Sequence, residues 1–335
     1  MSPPSAAAHP EKSTTGRADT RAEVRPPALL RTGVRALYAL APPLGDRLAA
    51  RLFFTPPPTG PGRPGPALPG GRPFSLHAAG VTVHGEAAGE GPAVLLVHGW
   101  GGRGTQLAPL GRALLDAGLA VAIFDGPAHG RSGGGTTNLL RMADALAAVA
   151  RHVGARAAIG HSFGGAALGI ALSRRLVALD AAVTVGAPSS PFGFFGAFAR
   201  AFGLPPGAGD RIRRGLEARV GVSMESLDAG ALLPSVQVPG LVVHDAEDRE
   251  VPFREAEVIA AAWPGARLRR TEGLGHRRIL RDPALAAELA AFVTGHVARC
   301  GCGRPASGNR RGEPTCASCR LALHLEDRDG RAASA

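Results

Sequence analysis

Short apolar runs alternate with longer stretches of three- and four-residue hydrophobic spacing over most of this chain. Val94–Val97, Val121–Phe124, Ala157–Ile159, Ala182–Val185 and Leu241–Val243 are brief and continuous. That is the pattern of strands buried on both faces. Between them, Leu107–Ala117 and Leu139–His152 carry helical spacing, and an Ala-rich helical stretch, Ala166–Leu176, follows the third run. Phe74–His77 and Val81–Gly85 read as a hairpin ahead of the series. Arg267–Arg270 reads as a last strand, and Pro283–Ala298 as a closing helix. Strands alternating with helices predict an α/β protein whose mainly parallel sheet carries helices on both faces. Residues 188–236, Phe-rich and then Arg-rich, break the alternation, and a small helical cap is expected there.

The flanks read differently. Residues 1–27 are rich in Ser, Pro, Ala and Arg without periodicity, the composition of a disordered leader. In residues 28–54, Leu29, Leu30, Val34, Leu37, Leu40, Leu44, Leu48, Leu52 and Phe53 recur at helical spacing. Arg31, Arg35, Asp46, Arg47 and Arg51 lie between them, and Pro42-Pro43 interrupts the pattern. Two amphipathic helices are predicted. Packing on the main domain is preferred for them over peripheral contact with a membrane surface. A Pro/Gly-rich linker completes this segment at residue 73. The main domain is expected over 74–298, and a Cys-rich tail over 299–335.

Composition adds limits. Hydrophobic residues make up 45% of the 335 positions and charged residues 19%, enough for a sizeable core. No apolar run reaches the roughly 18 residues of a spanning helix. Met1–Thr20 lacks the basic start and apolar stretch of a secretory signal, so a cytoplasmic protein is expected. The net charge of +11 sits mostly outside the main domain. Residues 1–73 hold ten Lys/Arg against four Asp/Glu, whereas residues 74–299 hold 22 against 19. A nearly neutral main domain offers no basic face to nucleic acid, and no such partner is expected.

The chemistry centres on Gly160-His161-Ser162-Phe163-Gly164, set between an apolar strand and a helix. A serine held on so tight a turn has its hydroxyl exposed at the sheet end. A hydroxyl needs a base, an orienting acid and oxyanion donors before it is a useful nucleophile. The chain offers each in the order Ser, Asp, His. Asp248 is the chosen acid in His244-Asp245-Ala246-Glu247-Asp248-Arg249-Glu250-Val251-Pro252, with Asp245 or Glu247 as alternatives. His276 in Gly273-Leu274-Gly275-His276 follows the last strand and is the chosen base. The loop His98-Gly99-Trp100-Gly101-Gly102 could aim the Trp100 amide at an oxyanion, with the Phe163 amide as second donor. His98 and His161 read as supports of their turns. His129, in Asp125-Gly126-Pro127-Ala128-His129-Gly130-Arg131-Ser132, reads as loop-ordering.

Together these motifs resemble the α/β-hydrolase fold family, and within it a bacterial serine esterase, over residues 74–298. The resemblance implies Ser162 as nucleophile, Asp248 as acid, His276 as base and Trp100 with Phe163 as oxyanion donors. It implies a small-molecule ester or thioester substrate, an acyl-enzyme intermediate and no cofactor for catalysis. The tail departs from that family. Cys300-x-Cys302 and Cys316-x-x-Cys319 resemble a small zinc ribbon, in which four thiolates close a structural zinc site. Two disulfides or free thiols are the alternatives. A second functional reading keeps the hydrolase fold but makes the chain a non-catalytic adaptor with a zinc-binding interaction module.

Overall fold

Val94 and Leu96 pack on one side of the sheet, Leu95 and Val97 on the other, and each side has its own core. This period of two is the strand's own geometry. The structure, a computed structural model, describes residues 26–60 and 65–297, and the backbone alone of 308–310 and 313–315.

The chain begins with helices α1 (Ala28–Leu40) and α2 (Pro42–Phe53). There follow β1 (Arg72–Ala78), β2 (Val81–Ala88), β3 (Ala93–Val97), α3 (Ala108–Asp116), β4 (Ala120–Phe124), α4 (Leu139–Val153), β5 (Ala155–His161), α5 (Phe163–Ser173) and β6 (Ala181–Val185). Helices α6 (Phe192–Phe202), α7 (Ala208–Val220) and α8 (Ala229–Leu232) separate β6 from β7 (Gly240–Asp245). The series ends with α9 (Arg254–Ala262), β8 (Ala266–Thr271), α10 (Gly275–Arg278) and α11 (Pro283–His296). Two short paired strands, β9 (Gly308–Arg310) and β10 (Glu313–Thr315), lie in the tail.

Eight strands form one sheet in the order β1-β2-β4-β3-β5-β6-β7-β8. Strand β2 runs antiparallel to both β1 and β4, and the remaining pairs are parallel. Helices α3 and α11 cover one face through Leu110, Leu114, Leu289 and Phe292. Helices α4, α5 and α9 cover the other through Leu146, Leu168 and Ile259. The last strand, β8, leaves Arg267, Arg269 and Arg270 exposed, a charged edge that discourages pairing with another sheet.

Local chemistry sets the helix limits. Asn138 Oδ1 accepts the Arg141 amide at 3.0 Å and starts α4, and Gly154, in left-handed backbone, ends it. Asp282 caps α11 in the same way, accepting the Leu285 amide at 2.7 Å. That helix stops at His296, short of the expected Ala298. Helix α5 begins at Phe163, three residues before the Ala-rich stretch that marked it in the sequence. Gly164 and Gly165 are poor helix formers and hid its first turn.

The break at Pro42-Pro43 separates α1 from α2. Ala41 leaves helical geometry, and Pro42 opens the second helix, where a missing amide hydrogen costs nothing. The pair packs back on the helices inserted between β6 and β7. Asp46 accepts from Tyr38 Oη and Arg211 Nε, both at 2.9 Å. Burial and the Asp46 charge push the Tyr38 hydroxyl up to about 12. The Phe53 ring stacks on Phe195 at 4.7 Å and meets Phe198 edge-on at 5.3 Å. Among the described residues no helix is long and apolar enough to cross a membrane. Residues 1–25 of the expected 1–27 leader and the four cysteines of the expected zinc-binding tail lie outside the described residues.

Candidate active site

Strand β5 ends at His161, and α5 begins at Phe163, so a single residue turns the chain. That residue, Ser162, has φ 52° and ψ −119°. Such backbone costs a non-glycine residue about 1–3 kcal/mol and persists only where the surroundings impose it. Here the Ser162 amide is held by the Val185 carbonyl at 2.8 Å, and the Ser162 carbonyl accepts from Gly165 and Ala166. The turn closes because Gly160 has no side chain; a Cβ there would lie 2.6 Å from the Gly164 carbonyl oxygen. Ser162 is half-buried, at the N-terminus of α5.

Two loops bring the acid and base together. Asp248 follows β7, His276 follows β8, and both are buried. His276 Nδ1–H donates to Asp248 Oδ2 at 2.7 Å. The other carboxylate oxygen, Oδ1, accepts the amides of Glu250 at 2.8 Å and Val251 at 2.9 Å. Burial alone would raise this carboxyl, but hydrogen bonds from His244, His276 and the Val251 amide outweigh it. The net effect holds Asp248 far below the usual carboxylate range. With Nδ1 donating, His276 has Nε2 left as an acceptor. Among the described residues Ser162 Oγ makes no hydrogen bond, to His276 or to any other group. Such contacts commonly tighten only when substrate is bound.

The loop after β3 abuts the serine: a Cβ on Gly99 would come 3.1 Å from Ser162 Cβ. Two histidines hold that loop. His98 Nδ1–H donates to the Gly99 carbonyl at 2.7 Å, and Nε2 accepts the Gly126 amide at 2.9 Å. His129 Nδ1–H donates to the Pro127 carbonyl, and Nε2 accepts the Gly101 amide at 3.1 Å. Both rings are therefore neutral, each with one fixed tautomer. Burial pushes His98 down, and burial, reinforced by the neighbouring His98 imidazole, pushes His129 down to about 4. The Trp100 and Phe163 rings meet edge-on at 5.2 Å. Among the described residues neither backbone amide has a hydrogen-bond partner.

Three supporting residues were not singled out for these contacts in the sequence. His161 Nε2–H donates to the His276 carbonyl at 2.8 Å, joining the serine turn to the base loop. Burial, reinforced by the neighbouring His276 imidazole, pushes His161 down to about 3. His244, fully buried on β7, donates to the Val251 carbonyl at 2.9 Å and lies 3.4 Å from Asp248 Oδ2. Asp245, weighed in the sequence as an alternative acid, makes no bond to His276. Its Oδ2 accepts Thr271 Oγ1 at 2.8 Å and the Leu274 amide at 3.0 Å, and its Oδ1 accepts the Glu247 amide at 3.0 Å. Glu247, the other alternative, is exposed. The only sequence sign of the ties at 244 and 245 was their place at the end of an apolar strand. Among the described residues no three His, Cys, Asp or Glu side chains are grouped to hold a metal.

Solved structures share this architecture. An esterase from Exiguobacterium antarcticum is 20% identical, with 66% of this chain and 98% of that one covered and a TM-score of 0.53. A thermophilic esterase from Thermogutta terrifontis is 20% identical, with 68% and 100% covered and a TM-score of 0.52. A bromoperoxidase from Bacillus anthracis is 19% identical, with 64% and 96% covered and a TM-score of 0.52. These are likenesses of fold, and a fold shared by esterases and a peroxidase does not by itself set the reaction. A comparison with curated proteins returns no match. The sequence pattern of the alpha/beta hydrolase family matches residues 94–289, more than half of the chain, and the chain belongs to that family.

Proposed function

We propose that this chain is a serine hydrolase that cleaves a carboxylic ester or thioester through an acyl-enzyme. The observation that carries the reading is the buried His276–Asp248 pair at 2.7 Å, on loops beside a serine in strained backbone. Ser162 Oγ attacks the substrate carbonyl carbon as its proton passes to His276 Nε2. Asp248 holds the imidazole in the tautomer that accepts this proton and stabilises the imidazolium that results. The carbonyl oxygen gains charge and is met by the unengaged amides of Trp100 and Phe163. Losing one such donor typically costs about 10²–10³-fold in rate. The tetrahedral adduct collapses, the C–O or C–S bond breaks, and His276 returns its proton to the departing alcohol or thiol. Water, deprotonated by the same imidazole, then attacks the acyl carbon and releases the acid and free Ser162. On this reading α6–α8 form a cap over residues 188–236, and no cofactor takes part.

A fluorophosphonate probe tests the assignment. It is expected to label the wild type at Ser162 and to leave Ser162→Ala unlabelled. Labelling at another residue, or none on folded protein, rejects the triad. A series of p-nitrophenyl esters of increasing acyl length, assayed on the wild type and Ser162→Ala, then sets the acyl preference.

A further inference from the structure

The docked face of the α1–α2 hairpin accounts for only half of its apolar residues. Val34 and Tyr38 are buried, but Leu29 is 86% exposed and Leu40 85%. With Gly33 and Ala36, both exposed, they form a line at i, i+4, i+7 and i+11 along the outer side of α1. Leu44, 49% exposed, extends the apolar surface past the bend. On α2, Leu44, Arg47 and Arg51 are exposed at i, i+3 and i+7, and Arg35 is exposed on α1. The single acidic residue of the hairpin, Asp46, is turned inward and occupied by Arg211 and Tyr38. Every exposed charged side chain of the hairpin is therefore an arginine, set among exposed Leu, Ala, Pro and Thr, with no free carboxylate.

Two leucines exposed almost completely at the ends of one helical line keep apolar surface in water at a free-energy cost, and the exposed arginines of the hairpin favour anions. We infer that the α1–α2 hairpin lays this surface on an anionic lipid bilayer. Leucines enter the boundary between headgroups and acyl chains, while arginines stay among the phosphates with their stems along the apolar zone. The charge selects this occupant. A second copy of the same face would bring arginine against arginine, whereas an anionic bilayer complements every exposed charge of the hairpin. Contact with the body is compatible with this role, because the Phe53 stack and the Arg211–Asp46 pair use the opposite side.

Flotation of the full-length protein with vesicles tests the inference independently of the catalytic reading. The wild type is expected to float with phosphatidylcholine vesicles containing about a third phosphatidylglycerol, and weakly with phosphatidylcholine alone. Leu29→Glu/Leu40→Glu and Arg47→Glu/Arg51→Glu are each expected to lower the bound fraction at least about tenfold. High salt is expected to reduce wild-type binding as well. No binding of the wild type to the anionic vesicles, or binding unchanged in the leucine variant, overturns the proposal. A wild-type dimer on gel filtration that the leucine variant makes monomeric also overturns it, because the face is then a contact between copies.

Discussion

Asp245 carries no step of the proposed reaction, yet it joins the two loops on which the reaction depends. One of its oxygens holds the loop that leads to Asp248; the other holds Thr271 and the Leu274 amide, two residues before His276. Burial raises its carboxyl, but hydrogen bonds from the Gly275 and Leu274 amides, Thr271 and the Glu247 amide prevail, and the net shift is downward. Asp245 is thus an ionised acceptor surrounded by donors. Asp245→Asn would turn an amide NH₂ toward the Leu274 or the Glu247 backbone N–H, neither of which can accept. Leaving such a buried donor unmatched costs about 1–3 kcal/mol in stability. Because the His276 loop then loses its tether, kcat on a p-nitrophenyl ester should fall about ten- to a hundredfold. KM should change little, because Asp245 lies in a buried position away from solvent. A stability loss with kcat unchanged would reduce Asp245 to a structural role. A change in KM alone would place it in substrate binding.

The α1–α2 hairpin and the helices between β6 and β7 stabilise one another. Phe53 supplies a stacked contact to Phe195 and an edge contact to Phe198, and Phe54 lies edge-on to Phe53 at 4.9 Å. Phe53→Ala should cost about 2–3 kcal/mol and loosen both sides of this contact. Hydrogen exchange should therefore speed up in α6 as well as in α1 and α2, with the amides of β5 and β6 unaffected. Faster exchange confined to α1 and α2 would show that the inserted helices hold without them. This docking marks where reading from sequence stopped. Strands β3 to β7 were legible because each is a short apolar run buried on both faces, and the two leader helices because Pro42-Pro43 separates two periodic stretches. The meeting of Asp248 with His276 was legible because each follows a strand of the expected sheet at the same end. The partner of Phe53 was not: it lies some 140 residues away, and an aromatic side chain has no complementary pattern in the sequence. The contacts of His161, His244 and Asp245 were hidden for the same reason, since they join loops rather than residues along one strand.

The molecule carries its histidines unevenly, with His98, His129 and His161 buried around one sheet end. Each is pushed down from its ordinary value, His129 to about 4 and His161 to about 3, with burial the first cause in every case. The consequence for stability has a definite sign. An unfolded histidine takes up its proton near pH 6.5, whereas these rings stay neutral in the folded protein until the pH is far lower. Between those limits the unfolded chain binds more protons, so stability rises with pH. The contribution is complete above about pH 6.5 and is lost as the pH falls toward 3. Asp245 and Asp248, both held low, add a second loss that begins near pH 4, where the unfolded carboxylates protonate. The chain also starts with a net charge of +11, so each added proton increases self-repulsion. A domain has about 5–15 kcal/mol to lose. Each fully differential proton removes about 1.4 kcal/mol per pH unit. The urea midpoint should therefore drop steeply from pH 7 to pH 5, earlier than carboxylate protonation alone would bring about. His161→Asn should reduce that slope by about one proton equivalent while lowering stability at pH 7. A midpoint that stays flat from pH 7 to pH 5 in the wild type would show that these imidazoles gain protons in the folded state as readily as in the unfolded one.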